Sequence, residues 1–219
     1  MEVAAVVPAA GSGERLGAGR PKALVEVAGV AMVTRAVDGL LGSGVVDEVI
    51  VVAPPEHLEE MAKAVPTAGR VVPGGHDRVA SVALGLAEVP GADVVLVHDA
   101  ARCLCPAGVV SAVVAAVRAG HAAVVPAIPV ADTVRRAVDG GRVELVDRTG
   151  LLAVQTPQGF DVDVLRRAHA AAGDHRATDD AGLVEAIGGE VVTVPGDPRA
   201  FKITTPLDLA MAEALVRAL

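Results

Sequence analysis

Tryptophan and tyrosine are absent from this 219-residue chain and phenylalanine occurs twice. Any core must therefore be filled by Val, Ala, Leu and Ile, each of which buries less area than an aromatic ring. The shortage reads as a bias of composition rather than a sign of function, since 52% of the residues are still hydrophobic. Cysteine is nearly absent too: Cys103 and Cys105 stand two apart, too close for a sensible structural disulfide, and no second pair exists to complete a zinc site. They read as small buried hydrophobes. No apolar stretch reaches the roughly 18 residues of a membrane span, and the N-terminus enters a strand without a basic leader, so no membrane partner and a cytoplasmic location are expected. Positive charge is in deficit, 19 Lys and Arg against 27 Asp and Glu for a net charge of -8. A phosphate-backbone surface needs a basic face, so no nucleic-acid partner is expected.

What is present begins at once. Val3 to Val7 is a continuous apolar run, as in a strand covered on both faces, and Pro-Ala-Ala-Gly-Ser-Gly-Glu-Arg-Leu-Gly-Ala-Gly-Arg-Pro-Lys follows over residues 8–22. Glycines let backbone N–H groups approach an anion closely, and Arg15, Arg20 and Lys22 add charge, which together suit a polyphosphate. The dinucleotide fingerprint fails here, because Leu16 stands where its third glycine belongs and the second strand, Val49 to Ala53, ends without an acidic group for a ribose. The P-loop fails as well, since Lys22 is followed by Ala23 rather than a magnesium-binding hydroxyl. On this segment alone, a plain glycine-punctuated turn remains the other reading.

Strand-like runs at residues 3–7, 49–53, 70–72, 94–98 and 122–128 alternate with helical stretches near 32–41, 56–64, 78–87 and 106–119. That alternation predicts an α/β fold with a doubly wound, mostly parallel sheet. Ligands of such sheets bind beyond the carboxyl ends of strands, so the loops after Val7, Val72 and His98 should share one crevice. From about Pro129 the alternation breaks. Two short strands around Asp139-Gly140-Gly141 predict a hairpin arm at about 130–150, with apolar positions too sparse for a lone hairpin to be stable, so it is expected to pack on a second subunit. Helices return at 162–172, 179–187 and 206–219, with a strand at 190–194, and no linker divides residues 1–219, which predicts one domain.

Several polar constellations carry two readings each. Gly74-Gly75-His76-Asp77-Arg78-Val79-Ala80-Ser81 opens a helix after the third strand, which suits an anion or a base edge, with Ser81 as a hydroxyl donor, or else is an ordinary run of cap formers. His98-Asp99-Ala100-Ala101-Arg102 ends the fourth strand. Asp99 there suits a magnesium-bound phosphate, directly or through water, or else pairs with Arg102 and caps the next turn. His98 reads as a buried, satisfied histidine. Thr178 before two aspartates reads as a helix cap, and Lys202 in a short strand as an edge gatekeeper.

As an ordered set, residues 8–15, Pro21-Lys22, Gly74-Gly75 with Arg78 and Ser81-Val82, 98–102, Asp132-Thr133, Asp147-Arg148, 155–158, Thr178-Asp179 and Lys202 closely resemble the 2-C-methyl-D-erythritol 4-phosphate cytidylyltransferases, nearly end to end. The resemblance implies a Rossmann-like nucleotidyltransferase fold with a protruding β-hairpin arm. It also implies a reaction of CTP with a polyol phosphate that gives a CDP-alcohol and pyrophosphate without a covalent intermediate, in the non-mevalonate isoprenoid pathway. It assigns catalysis to Arg15, Lys22, Arg148 and Lys202. Nucleotide binding falls to Ala9, Ala10, Gly11, Ser12, Gly13, Gly75, Ser81 and Ala100, and acceptor binding to Asp99, Arg102, Thr133, Arg148, Thr156, Thr178 and Lys202. Mg²⁺ is the implied cofactor, with Asp99 its candidate ligand, and the implied assembly is a homodimer whose arms complete each other's sites. Cys103 stands where the family often has proline, and His76 where an acidic or small residue is frequent. A cytidylyltransferase for another polyol phosphate, such as ribitol 5-phosphate, and a silent nucleotide-binding protein of the same fold are the alternatives.

Overall fold

The structure is a computed structural model and describes residues 1–11, 19–173 and 177–218 of the chain. The N-terminal half runs β1 (Val3–Pro8), β2 (Glu26–Val27), β3 (Val30–Ala31), α1 (Met32–Leu41), β4 (Glu48–Ala53), α2 (Leu58–Ala64), β5 (Arg70–Pro73), α3 (Arg78–Ala87), β6 (Val94–Val97) and α4 (Ala107–Arg118). The remainder runs β7 (Ala123–Pro129), β8 (Arg135–Ala137), β9 (Val143–Leu145), β10 (Leu152–Val154), β11 (Gln158–Asp161), α5 (Val162–Ala171), α6 (Asp180–Ala186), β12 (Val191–Pro195) and α7 (Pro206–Ala218).

The apolar runs of the sequence are strands with helices on both faces. Val3, Ala5 and Val7 of β1 pack with α1 and α4 residues such as Val37 and Val113, while Ala4 and Val6 pack with α3 and α5 residues such as Val82 and Leu165. β4 and β6 divide in the same way: Val49 and Val51 face one layer and Ile50 and Val52 the other, as do Leu96 and Val97. With alternate residues buried on opposite faces, the strand pattern is continuous apolar rather than alternating. Gly85 on α3 shows how close the layers lie, because a Cβ there would stand 2.5 Å from Val6 Cγ1.

Among the described residues the main sheet runs β5-β4-β1-β6 as parallel neighbours, then β11, then β7. β12 lies parallel to β7, while β11 is antiparallel to both β6 and β7, and β10 is antiparallel to β7. The mostly parallel, doubly wound expectation holds. The pair β10 and β11 escaped the sequence reading because each is three or four residues long and the irregular Gln155-Thr156-Pro157 separates them. Smaller differences have local causes: Pro55 to His57 forms a 3-10 turn ahead of α2, and Pro106 is the N-cap of α4 rather than a residue inside it.

The chain passes from β1 outward to β4 and β5, then returns across β1 to β6. That reversal makes the carboxyl ends of β1 and β6 the place where a crevice opens. The arm forms as expected: β8 and β9 pair with each other in a separate two-stranded sheet, and its residues Val143 and Leu145 are 54% and 67% exposed.

Candidate active site

A cleft of about 610 Å³ opens at that edge, walled by Pro8 to Gly11 after β1, Lys22 and Ala23, residues 75–78 with Ser81, Asp99 to Ala101 after β6, and Lys202 with Thr204. The structure thus brings Ala9, Ala10, Gly11, Lys22, Gly75, Ser81, Asp99, Ala100 and Lys202 together from five segments. Ser12, Gly13 and Arg15 lie outside the described residues.

One wall is backbone-built. The Ala9 amide donates to Val52 O at 2.7 Å and the Gly74 amide to Ala53 O at 2.7 Å, so the first loop and the loop after β5 are both anchored on β4. A Cβ on Gly74 would stand 3.0 Å from Ala10 Cβ, and one on Gly75 would stand 2.5 Å from Ala80 Cβ. Close approach therefore demands glycine at 75 and leaves only a tight fit for a side chain at 74. Asp77 caps α3 by accepting from the Ala80 amide at 2.8 Å. Ser81, 2% exposed, accepts from the Gly75 amide at 3.1 Å and donates its proton to Asp77 O at 2.7 Å. The sequence suggested a donor to ligand at this position, but the proton is already committed, which leaves a hydroxyl lone pair for a ligand N–H.

The other wall is built from side chains. Asp99 Oδ2 lies 3.0 Å from Lys202 Nζ and 3.5 Å from Arg102 Nε. Burial pushes the Asp99 carboxyl up, but Lys202, by charge and hydrogen bond, with Arg78 and Arg102, holds it below the usual carboxylate range. Asp99 heads the turn over residues 100–102 without a side-chain cap bond, so pairing is its role here. Arg102 turns away from the cleft and donates to Ala200 O at 2.8 Å and Val154 O at 3.3 Å. Thr156 is 5% exposed and accepts from the Asp99 amide at 3.0 Å. Both therefore stand behind Asp99 rather than on the described cleft wall. Lys202 lies in an irregular segment, not the short strand expected for a gatekeeper, and the Ile203 amide holds that segment to Ala101 O at 2.9 Å.

Other expected residues lie further out. Thr133 and Arg148 are exposed on the arm, where Arg148 donates to the Val130 and Ala131 carbonyls of its own chain. Thr178 is exposed and does not cap α6: Asp179 does, accepting from the Gly182 amide at 3.0 Å, since its carboxylate sits one residue nearer the first turn. Cys103 is buried and Cys105 half-buried, both are free thiols, and burial pushes them up to about 11 and about 12.

Arg78, legible in the sequence only as part of the helix-opening run, is a residue of the cleft wall. Its Nη2 lies 2.7 Å from Asp180 Oδ2, and Asp180, fully buried, meets His169 Nε2 at 2.9 Å through its other oxygen. Nothing in the local pattern signals this pair, because its members are about a hundred residues apart. His98 is buried as expected, and burial pushes its imidazole down to about 4 against the opposing charge of Asp99.

The family model described as 2-C-methyl-D-erythritol 4-phosphate cytidylyltransferase matches residues 3–218. The protein of that name from Saccharopolyspora erythraea is 58% identical over 99% of this chain and 100% of its own length, and that from Rhodococcus opacus is 54% identical over 98% and 95%. The crystal structure of the 2-C-methyl-D-erythritol 4-phosphate cytidylyltransferase from Thermus thermophilus superposes with a TM-score of 0.83 at 40% identity, covering 99% of this chain and 100% of that one.

Proposed function

This chain belongs to the 2-C-methyl-D-erythritol 4-phosphate cytidylyltransferase family, and we propose that it joins CTP to 2-C-methyl-D-erythritol 4-phosphate, forming 4-diphosphocytidyl-2-C-methyl-D-erythritol and pyrophosphate for non-mevalonate isoprenoid synthesis. One observation carries this reading: a single cleft joins a wall of backbone and glycine to a wall of fixed charge. The first wall suits a nucleotide, with the Gly75 loop and Ser81 facing a base edge and the loop after β1 facing phosphates. The second suits a phosphorylated polyol, with the Lys202 ammonium for its phosphate and the Asp99 carboxylate for its hydroxyls.

A phosphate oxygen of the acceptor attacks the α-phosphorus of CTP as the bond to the bridging oxygen breaks, and pyrophosphate leaves with that electron pair. Lys22 faces the nucleotide phosphates, to which the family's pattern also assigns Arg15, and Lys202 the attacking phosphate, so catalysis is positioning plus electrostatic stabilisation. The residues present fit Mg²⁺ in the usual manner for nucleotide sites. No group of three His, Cys, Asp or Glu among the described residues could cage a metal, but Asp99 offers one ionised carboxylate beside the expected phosphates. Bound there, the ion would neutralise charge on those phosphates.

Thr133 and Arg148 serve the cleft of a second copy in a cytoplasmic homodimer. Supporting this, Val143 and Leu145 are 54% and 67% exposed on a hairpin too small to be stable alone, and Leu152 and Val154 of β10 after it are 44% and 41% exposed. No described helix is long and apolar enough to cross a membrane. Mixing an Arg148→Ala chain with a Lys22→Ala chain should restore activity, because one site per mixed dimer regains both groups. A mixture as silent as its components would overturn the shared site.

Pyrophosphate release with Mg²⁺ and CTP tests the reaction, with 2-C-methyl-D-erythritol 4-phosphate and ribitol 5-phosphate offered in parallel. Turnover with the first alone is expected. Turnover with ribitol 5-phosphate alone would keep the chemistry and change the substrate, and silence in both with CTP still bound would favour a nucleotide-binding role.

A further inference from the structure

Between β10 and β11 the ladder with β7 breaks: the pairing steps from 154 to 159 on one strand but only from 127 to 124 on the other. The surplus residues turn two buried side chains toward different loops. Gln155, 3% exposed, donates from Nε2 to Asp197 O at 2.9 Å and accepts from the Asp197 amide at 3.0 Å, clamping the segment that leads to Lys202. Thr156 Oγ1 accepts from the Asp99 amide at 3.0 Å and lies 3.1 Å from Nδ1 of His98, itself 1% exposed. A Thr156 hydroxyl that donates to Nδ1 leaves the ring proton of neutral His98 on Nε2, and the ring also meets the backbone of Arg102 and Thr156. Neither His98 nor Gln155 is on the described cleft wall.

We propose that His98 and Gln155 are positioning residues for the acceptor side of the cleft. His98 holds the Thr156 hydroxyl and through it the Asp99 loop, and Gln155 holds the loop that carries Lys202, so adjacent side chains in one irregular step of the sheet set the spacing of the Asp99–Lys202 pair. The inference rests on the reading above that this pair engages the acceptor. Ion pairs and phosphate contacts weaken sharply with small displacements, and a loop tied by a few bonds moves when one is lost.

The test compares His98→Leu, His98→Asn, Gln155→Met and Thr156→Val with the double variant His98→Leu/Thr156→Val, measuring KM for each substrate, kcat and the thermal midpoint. His98→Leu should raise KM for 2-C-methyl-D-erythritol 4-phosphate about five- to tenfold, the scale of one lost hydrogen bond, and Gln155→Met, which loses two, by at least as much, with KM for CTP little changed in both. His98→Asn should recover most of the loss, because its Oδ1 stands where Nδ1 does. The double variant should be no worse than Thr156→Val alone, since His98 acts through that hydroxyl. Equal loss toward both substrates, or additive loss in the double variant, would overturn the proposal and leave His98 an ordinary core residue. Crystal structures of His98→Leu and Gln155→Met supply a readout independent of turnover: Thr156 or the 197–202 segment should shift and the Asp99–Lys202 pair should open, whereas unchanged positions would overturn the proposal. If the pair opens while the wild-type protein is inactive on this acceptor, the substrate reading falls and the positioning role stands.

Discussion

The two walls of the cleft are made in opposite ways. On the wall proposed for the nucleotide the side-chain bonds that shape the Gly75 loop are local, Gly75 to Ser81 across six residues, Ser81 to Asp77 four and Ala80 to Asp77 three, and the ties to β4 from Ala9 and Gly74 are backbone bonds. On the acceptor side Asp99 reaches Thr156 across 57 residues, Arg102 reaches Ala200 across 98 and Gln155 reaches Asp197 across 42. A local loop keeps its shape from its own turn and helix start, as glycine and capping geometry require. A wall of long-range side chains exists only when the sheet, including its two antiparallel strands, is complete. The nucleotide wall should therefore respond to backbone crowding, and the acceptor wall to any loss of a tie between segments.

Four substitutions sharpen or break that contrast. The largest effect belongs to Lys22→Ala, which should keep the fold and lose about 10²- to 10³-fold in turnover, the usual cost of one preorganised charge, as read by steady-state kinetics beside circular dichroism. Wild-type turnover would remove Lys22 from the mechanism. Next, Lys202→Ala should lower kcat/KM for the acceptor by about 10²-fold. It also strips Asp99 of its main counter-charge, so burial then pushes that carboxyl up, and the acid limb of the pH profile should move to higher pH. An unmoved limb would show that Asp99 and Lys202 are not coupled in solution. Gly75→Ala tests the other wall: the new Cβ would stand 2.5 Å from Ala80 Cβ, so the loop must shift at a cost of about 1–3 kcal/mol. KM for CTP should rise roughly tenfold while KM for the acceptor stays put, and the reverse pattern would exchange the two walls. The smallest effect is expected from Asp208→Asn, a local bond on the long-range side. Bonds from Thr204 and Thr205 hold that carboxyl down at about 2, below its unfolded value, so its contribution is present above about pH 4 and is lost as pH falls toward 2. The variant should show a flatter fall of the thermal midpoint across that window and near-normal turnover.

The same division explains what could be read in advance. The runs 3–7, 49–53 and 94–98 are legible as strands because both faces are covered, and Gly74-Gly75 with Ser81 is legible as a loop opening a helix because spacing alone specifies it. Asp99 stands out as a charge ending an apolar run. Its partner Lys202 carries no such mark, lying in an irregular segment that looks like a strand edge. Thr178 reads as a cap although Asp179 performs that role, since two cap formers in succession leave the choice to the first turn of α6. Arg78 with Asp180, and His98 with Thr156, are pairs whose members have no sequence neighbour to announce them.

By itself, then, the sequence determined the layered α/β order, the glycine loop that opens α3 and the presence of an arm, because each depends on apolar period, glycine and turn chemistry within a few residues. Only the tertiary structure decided that Asp99 is paired with Lys202 from the far end of the chain, that Arg102 and Thr156 stand behind it, and that the step at Gln155 and Thr156 ties both loops. Those outcomes depend on which distant strands become neighbours, and no local spacing encodes a contact across 57 or 98 residues.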